Sequence, residues 1–404
     1  MAAHSPAPEP LPVTATAVPV TTVPPVTSGK GTHTVSTAPA VAPPKPAPSA
    51  LTLRIVRGPL GLSERIRILS EYNRLTGNRV PVQQFRRFTE QSPSGPAFHV
   101  FLETPGGRIA GHCALVPFPL QGPHGPITAA KEHYFFFSDE YRSQLVPDFP
   151  GSQKPAATLL LEQLYARASQ QGWRPVIACD PAQPAPIHDA LGCRAVDLPV
   201  RDCFFLLKPA RACQSMDHLP LSTRIRMFAV GVGSSVYAAC VSPFRQPHGF
   251  VRRSRVTDGI ASSNGHLPRH VSISEDPQFV SWRYAESSYV RFIVNNGHEG
   301  HAIVAKGSPV AFLRVCQFRT PSIRSLSALV EKLIREARAT YALGVRWSVY
   351  GDGPDQDRLV AELRKHLFFC VRRTRRILVS SPANAELLSP TNWNLADSLF
   401  TFDA

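Results

Sequence analysis

"PAFHVFLETPGGRIAGHCALVPF" (residues 96–118) opens the stretch that decides the fold. It continues through "AAKEHYFFFSDEYR" (129–142), "VPDFPGSQKPA" (146–156), "ATLLLEQLYARASQQG" (157–172), "RPVIACDP" (174–181), "PAPIHDALG" (184–192), "CRAVDLPV" (193–200) and "DCFFLLK" (202–208). Two apolar runs around Pro105-Gly106-Gly107-Arg108 predict a hairpin, with the glycines where positive φ is needed. A long strand follows at 132–137, then a basic loop, a helix, a strand, a short helix and two more strands. A strand that passes through a loop of free backbone amides into a helix is a place to hold an anion such as a pyrophosphate, because the amides and the helix dipole both present positive charge. The chemistry is therefore expected around 137–156.

Upstream, "LTLRIVRGP" (51–59) alternates like a strand. "LSERIRILSEYNRLTG" (62–77) predicts a helix with Ser63 as N-cap and Gly77 as stop, and "VPVQQFRRFTEQ" (80–91) a second, shorter one. Downstream, "MFAVGVGSSVYAACV" (227–241) is apolar but shorter than the roughly 20 residues that span a bilayer, and Arg224, Arg226 and Arg245 flank it. A helix packed between two units is the expectation, with no membrane span. A second series then begins. "EDPQFVSWRYAESSYVRFIV" (275–294) and the hairpin "HAIVAKGSPVAFLRVCQF" (301–318) lead into a helix over 322–344, with Leu326, Leu329, Val330, Leu333 and Ile334 on one stripe and Gly344 as its cap. "VRWSVYGD" (345–352), a helix over 355–369 and "CVRRTRRILVSS" (370–381) repeat the strand–helix–strand order of the first half.

At 404 residues the chain is long enough for two cores and a tail. Residues 1–50 are mostly Pro, Ala, Val and Thr and bury too little to offset the entropy of ordering, so a disordered tail is expected. The domain reading is 51–209, a helical linker at 210–260, and 261–404. The tail has neither the basic start nor the unbroken apolar core of a secretory signal, nor the arginines of a transit peptide, so a cytoplasmic protein is expected. The eight cysteines are scattered singly with no Cys-x-x-Cys, which reads as reduced core thiols and no metal site. A formal net charge of +15 favours an anionic partner.

The element order from 51 to about 208 resembles the GNAT N-acetyltransferase superfamily, whose central helix follows the fourth strand through a coenzyme A pyrophosphate loop. The resemblance implies an α/β fold of the α+β kind: two GNAT-like domains, each a mixed, mostly antiparallel sheet flanked by helices. It also implies acetyl-CoA or another acyl-CoA as co-substrate and a small amine as acceptor. The family's loop pattern is Gln or Arg, two residues, Gly, one residue, then Gly or Ala. The matching segment here supplies Gly151, Ser152, Gln153, Lys154 and Ala156 as cofactor-binding residues, with the second glycine missing. In the family an alcohol or phenol on the short helix protonates the leaving thiolate; this chain offers His188 and Asp189 there. Candidate bases are Glu132 and His133 on the fourth strand, which alternation puts on opposite faces, and Asp139 and Glu140 at its end. "DPQFVSWRY" (276–284) and "NWNLADSLFTFDA" (392–404) are similar to segments of GNAT proteins encoded among bacterial surface-polysaccharide functions. The expected activity is an acyl-CoA-dependent N-acyltransferase working by direct attack on a small molecule or amino sugar. The competing expectation is a GNAT-derived scaffold without catalysis; nucleic-acid binding ranks third, because no recognition motif accompanies the basic runs.

Overall fold

The structure is a computed structural model that describes residues 51–404 except 143–144, 148–152, 180–184, 218, 241–250, 257–270, 286–287, 296–299, 320–321, 381–392 and 395–404. In chain order the first half contains β1 (Thr52–Arg57), α1 (Leu62–Thr76), α2 (Val82–Glu90), β2 (Phe98–Glu103), β3 (Ile109–Gly122), β4 (Gly125–Phe137), β5 (Leu145–Pro147), β6 (Gln153–Pro155), α3 (Ala156–Gln170), β7 (Val176–Cys179), α4 (Ala185–Ala190) and β8 (Arg194–Leu206). Two helices, α5 (Pro209–Gln214) and α6 (Leu221–Cys240), make the connection. The second half contains β9 (Val251–Ser254), β10 (Val271–Ile273), α7 (Pro277–Arg283), β11 (Tyr289–Val294), β12 (Gly300–Ala305), β13 (Leu313–Arg319), α8 (Ile323–Ala339), β14 (Gly344–Tyr350), α9 (Pro354–Lys365), β15 (Phe369–Ser380) and β16 (Trp393–Asn394). Among the described residues no helix is long and apolar enough to cross a membrane.

One mostly antiparallel sheet of 14 strands runs through both halves, its main path ordered β1-β2-β3-β4-β7-β15-β8-β14-β13-β12-β11-β9. The halves trade their closing strands: β15 lies between β7 and β8, while β8 lies between β15 and β14. Along this seam β8 and β15 stay in register from Phe369↔Phe204 to Val379↔Arg194. Pro48–Ala404 accordingly make up one compact unit. Helices cover both faces. On one face Phe85, Ile68 and Leu69 of α1 and α2 pack with Tyr134 and Phe136, and on the other Leu160, Leu161 and Leu164 of α3 pack with Val100, Leu102 and Ala130. The α8 stripe, Leu326 to Ile334, fills the second half's core against Phe292, Val304 and Trp347.

Local chemistry corrects several sequence expectations. The first helix begins one residue earlier than its proposed cap: Ser63 lies inside the first turn, and the Glu64 carboxylate accepts from Gly61 N at 3.1 Å. Gly344 does not cap α8, which ends at Ala339 with Thr340 as its C-cap; it starts β14 at φ +157, where a Cβ would fall 1.9 Å from the Phe205 carbonyl oxygen, so a side chain would break the β8–β14 seam. "CRAVDLPV" and "DCFFLLK" are one strand, β8, not two. Cys203 and Cys370 face each other across the seam with Cα atoms 4.1 Å apart and are disulfide-bonded, whereas the reading was of reduced thiols throughout. The "D…WRY" segment is structural: the Asp276 side chain accepts from Gln278 N and Phe279 N to start α7, and Trp282 donates to the Arg87 carbonyl at 3.0 Å, tying α7 to α2.

Candidate active site

The parallel pairing of β4 with β7 covers only Ala130↔Val176 and Lys131↔Ile177. Beyond it β4 continues to Phe137 without β7 beside it, so the sheet opens at Glu132. A bulge follows at once, where the β3–β4 register shifts between His112 and Ala114. Tyr134 sits at φ +51, and the extra residue turns His133 and Tyr134 to the same face: His133 stacks on Phe88 of α2, and the Tyr134 ring lies 4.7 Å from Phe85. A non-glycine residue in the left-handed region persists only where its surroundings hold it. Here a buried imidazole pair does so. His112 Nδ1–H donates to the Tyr134 carbonyl at 3.0 Å, and His99 Nδ1–H donates to His112 Nε2 at 3.2 Å. A carbonyl only accepts, so His112 Nδ1 carries a proton, and in the neutral ring Nε2 is then the acceptor. Burial lowers the His112 pKa to about 4, against the pull of its bond to Tyr134, and burial with the adjacent His112 and Arg54 holds His99 well below the usual imidazole range.

On the opposite face, Glu132 is the hub of a polar cluster in which His188 and Cys193 are buried and Glu132 and Tyr165 partly so. His188 Nε2 donates to Glu132 Oε2 at 3.2 Å, the Tyr165 hydroxyl donates to Glu132 Oε1, and the Cys193 thiol donates to the Tyr165 oxygen at 3.6 Å. Four elements meet here: β4 supplies Glu132, α3 Tyr165, α4 His188 and the turn into β8 Cys193. Burial opposes charge on His188, but the hydrogen bond and charge of Glu132, with Asp189, raise its pKa above the ordinary imidazole value. Burial and the Glu132 carboxylate push the Tyr165 phenol well up, so it stays a donor. Burial, opposed by the Tyr165 bond and supported by Glu132 and Asp189, pushes the Cys193 thiol to about 11, which makes it a poor nucleophile at neutral pH.

The structure thus brings together two of the three sequence-predicted catalytic residues, Glu132 and His188, and puts His133 across the sheet from them. Asp139 and Glu140 are exposed and pair with Arg142 and Arg108. Of the cofactor-binding set, Gly151 and Ser152 lie outside the described residues. Gln153 and Lys154 are not in an open cradle: they belong to β6, hairpinned with β5 as Pro147↔Gln153 and Val146↔Lys154, and the Lys154 ammonium meets both oxygens of Glu162 at 2.8 and 2.7 Å. Ala156 is the first, fully buried residue of α3. Among the described residues no side chain caps α3, so the amides of its first turn have no side-chain acceptor. Tyr165 and Cys193 were missed. The signal for Tyr165 was its place four residues after Leu161 on the buried stripe of α3, an aromatic with a hydroxyl that needs a partner. Elsewhere, a cavity of about 360 Å³ lined by Arg201, Asp357, Arg364 and Arg372 opens at the seam.

No sequence-family profile matches the chain, and no curated protein matches it in sequence. Solved structures match in fold. A conserved protein of unknown function from Enterococcus faecalis V583, a probable N-acyltransferase, superposes with a TM-score of 0.54 at 10% identity over 81% of this chain and 72% of that one. A GCN5-related N-acetyltransferase from Kribbella flavida gives 0.49 at 13% identity over 82% and 71%, and a putative acetyltransferase from Pyrococcus horikoshii gives 0.47 at 10% over 89% and 99%. The fold comparison rests on the first. The chain shares its fold with that protein.

Proposed function

We propose that the protein is an acyl-CoA-dependent N-acyltransferase that moves an acyl group, acetyl in the simplest case, from its coenzyme A thioester to the amine of a small molecule such as an amino sugar, in the cytoplasm. The observation that carries the reading is the position of Glu132: the first residue past the last β4–β7 pair, its side chain only 5% exposed, and hydrogen-bonded to His188 and Tyr165. The acceptor amine gives a proton to the Glu132 carboxylate, and its nitrogen forms a bond to the thioester carbonyl carbon. The C–S bond then breaks, the thiolate takes the Nδ1 proton of the His188 imidazolium, and solvent removes the proton from Glu132 and restores the one on His188. Backbone N–H groups at the Tyr134 bulge are the proposed donors to the developing oxyanion. The uncapped first turn of α3, starting at Ala156, is the proposed seat of the pyrophosphate, flanked by Gln153 and Lys154 with Gly151 and Ser152 before them. No cysteine intermediate is invoked.

Residues 51–209 would carry the chemistry and 261–404 would shape the acceptor side. A second reading, a GNAT-derived scaffold without catalysis, is favoured by Lys154 being engaged with Glu162 and by the β5–β6 hairpin lying ahead of α3. Thiol release from acetyl-CoA across a panel of amino sugars and small amines separates the two. The enzyme reading expects turnover that falls by about a hundred-fold or more in Glu132→Gln, the usual scale for losing a general base. Turnover unchanged in Glu132→Gln would refute the assignment, and binding without turnover for any amine would support the scaffold.

A further inference from the structure

The long connecting helix α6 carries an apolar stripe that the described residues leave uncovered. Leu221, Ile225, Phe228, Val232 and Val236 are 64, 60, 44, 45 and 57% exposed. At 100° per residue they fall within about 80° of arc, along roughly 22 Å of helix. Soluble proteins rarely expose a contiguous apolar stripe of this length without a use for it.

The stripe cannot turn inward, because the remaining sides of α6 are fixed to the ends of the seam strands and to α8. Gly231 packs so closely that a Cβ would lie 2.7 Å from Leu206 and 2.8 Å from Pro209. The Ser234 hydroxyl donates to the Leu367 carbonyl at 2.9 Å, the Ser235 hydroxyl reaches the Leu206 and Leu207 carbonyls, and the Tyr237 hydroxyl donates to Glu331. Met227 and Ala238 are buried beside them. The charge that α6 itself carries has one sign. Leu221–Cys240 contains no Asp or Glu, and on a helical projection Arg224 and Arg226 fall on either side of the apolar arc. Lys208 and Arg211 precede it, against the single acid Asp217.

We infer that the α6 stripe is a docking face for an anionic lipid surface, on which the five apolar side chains enter the headgroup–acyl boundary while Arg224 and Arg226 meet lipid phosphates. An apolar face edged by cations is what an in-plane interfacial helix presents, and each basic residue near an anionic leaflet adds attraction. A second copy of the chain fits less well. Two α6 faces brought together would juxtapose four arginines with no carboxylate on either helix, in a protein of net charge +15. The face is independent of the acyltransferase reading and stands or falls alone.

The test is co-sedimentation of the full chain with phosphatidylcholine vesicles, with and without phosphatidylglycerol, compared with Phe228→Asp, Val232→Asp and the pair Arg224→Gln and Arg226→Gln. Circular dichroism checks that each exposed substitution leaves the fold intact. The expected result is partitioning onto the phosphatidylglycerol vesicles that drops about ten-fold or more in either Asp variant, and a preference for anionic over neutral vesicles that shrinks in the arginine pair. Failure to partition onto either vesicle would overturn the inference, as would partitioning indifferent to both Asp variants. So would a concentration-dependent dimer, seen by light scattering, that Phe228→Asp splits and vesicles do not disperse.

Discussion

The two halves of the sheet open in the same way and are furnished differently. In the first, β4 leaves β7 after Lys131↔Ile177 and the next residue is a carboxylate, Glu132, with His188 and Tyr165 bonded to it. In the second, β13 leaves β14 after Val315↔Trp347, and a bulge again follows, between Ile303 and Val304 of the partner strand. Yet β13, "LRVCQFR", has no acid, and its buried Gln317 accepts from the Tyr284 hydroxyl at 3.2 Å. The helix starts differ in the same sense. No described side chain caps α3, whereas at α8 the Ser322 hydroxyl accepts from Ser325 N at 3.1 Å and is bonded to the Ser325 hydroxyl at 2.6 Å. The opening depends only on strand pairing, whereas the acid and the uncapped helix start depend on a few side chains, so two similar openings can be furnished differently.

The sharpest structural contrast concerns one buried imidazole beside each bulge, His112 and His301. His112 holds the Tyr134 carbonyl, so His112→Phe leaves that carbonyl and His99 without their partner in the interior and should cost about 1–3 kcal/mol. His301, on β12 beside the second bulge, is also buried, and burial with Arg291 and Arg319 lowers its pKa to about 3, so it is neutral. No hydrogen bond of His301 Nε2 is found among the described residues, so His301→Phe orphans no partner there and should cost less than His112→Phe. Denaturant midpoints of the two variants make the comparison; equal losses would mean that the bulge at Tyr134 does not depend on the imidazole pair.

A smaller effect sharpens the same contrast through pH. Glu132 raises the His188 pKa in the folded state, so the stability this pair contributes is fully present below the ordinary imidazole pKa of about 6.5 and is lost as pH rises through the raised value. Stability curves of wild type and Glu132→Gln should therefore converge as the pH is taken above that value. NMR titration of His188 should move back toward the ordinary imidazole value in Glu132→Gln, and an unmoved titration would mean that the carboxylate does not set it.

The fold was legible because its signals are local. Alternation found β2, β3 and β4, helical spacing found α1, α3 and α8, and their order implied the architecture. The exchange of closing strands was not legible: the pairing of β15 with β7 and β8 joins segments nearly 200 residues apart, and nothing local in "CVRRTRRILVSS" distinguishes a strand at the middle of a shared sheet from one at the edge of its own half. At the site, period-two alternation separated Glu132 from His133, and the short helix offered His188. The bulge at Tyr134 escaped notice because it breaks that alternation without a glycine to mark it. Lys154 was read as a free phosphate ligand; its partner Glu162 lies eight residues along the chain, two turns up α3, too far to be seen as a helical neighbour of a residue that precedes the helix.

The central claim, that one half binds the acyl donor and the other does not, is tested most directly by calorimetric titration of the full chain with acetyl-CoA. Thr158→Glu places a carboxylate in the first turn of α3, where it suits the helix dipole but opposes a pyrophosphate, and Arg324→Glu does the same at α8. The account predicts a single acetyl-CoA site per chain, lost in Thr158→Glu and retained in Arg324→Glu. Two sites per chain, or binding that survives Thr158→Glu and disappears in Arg324→Glu, would contradict it.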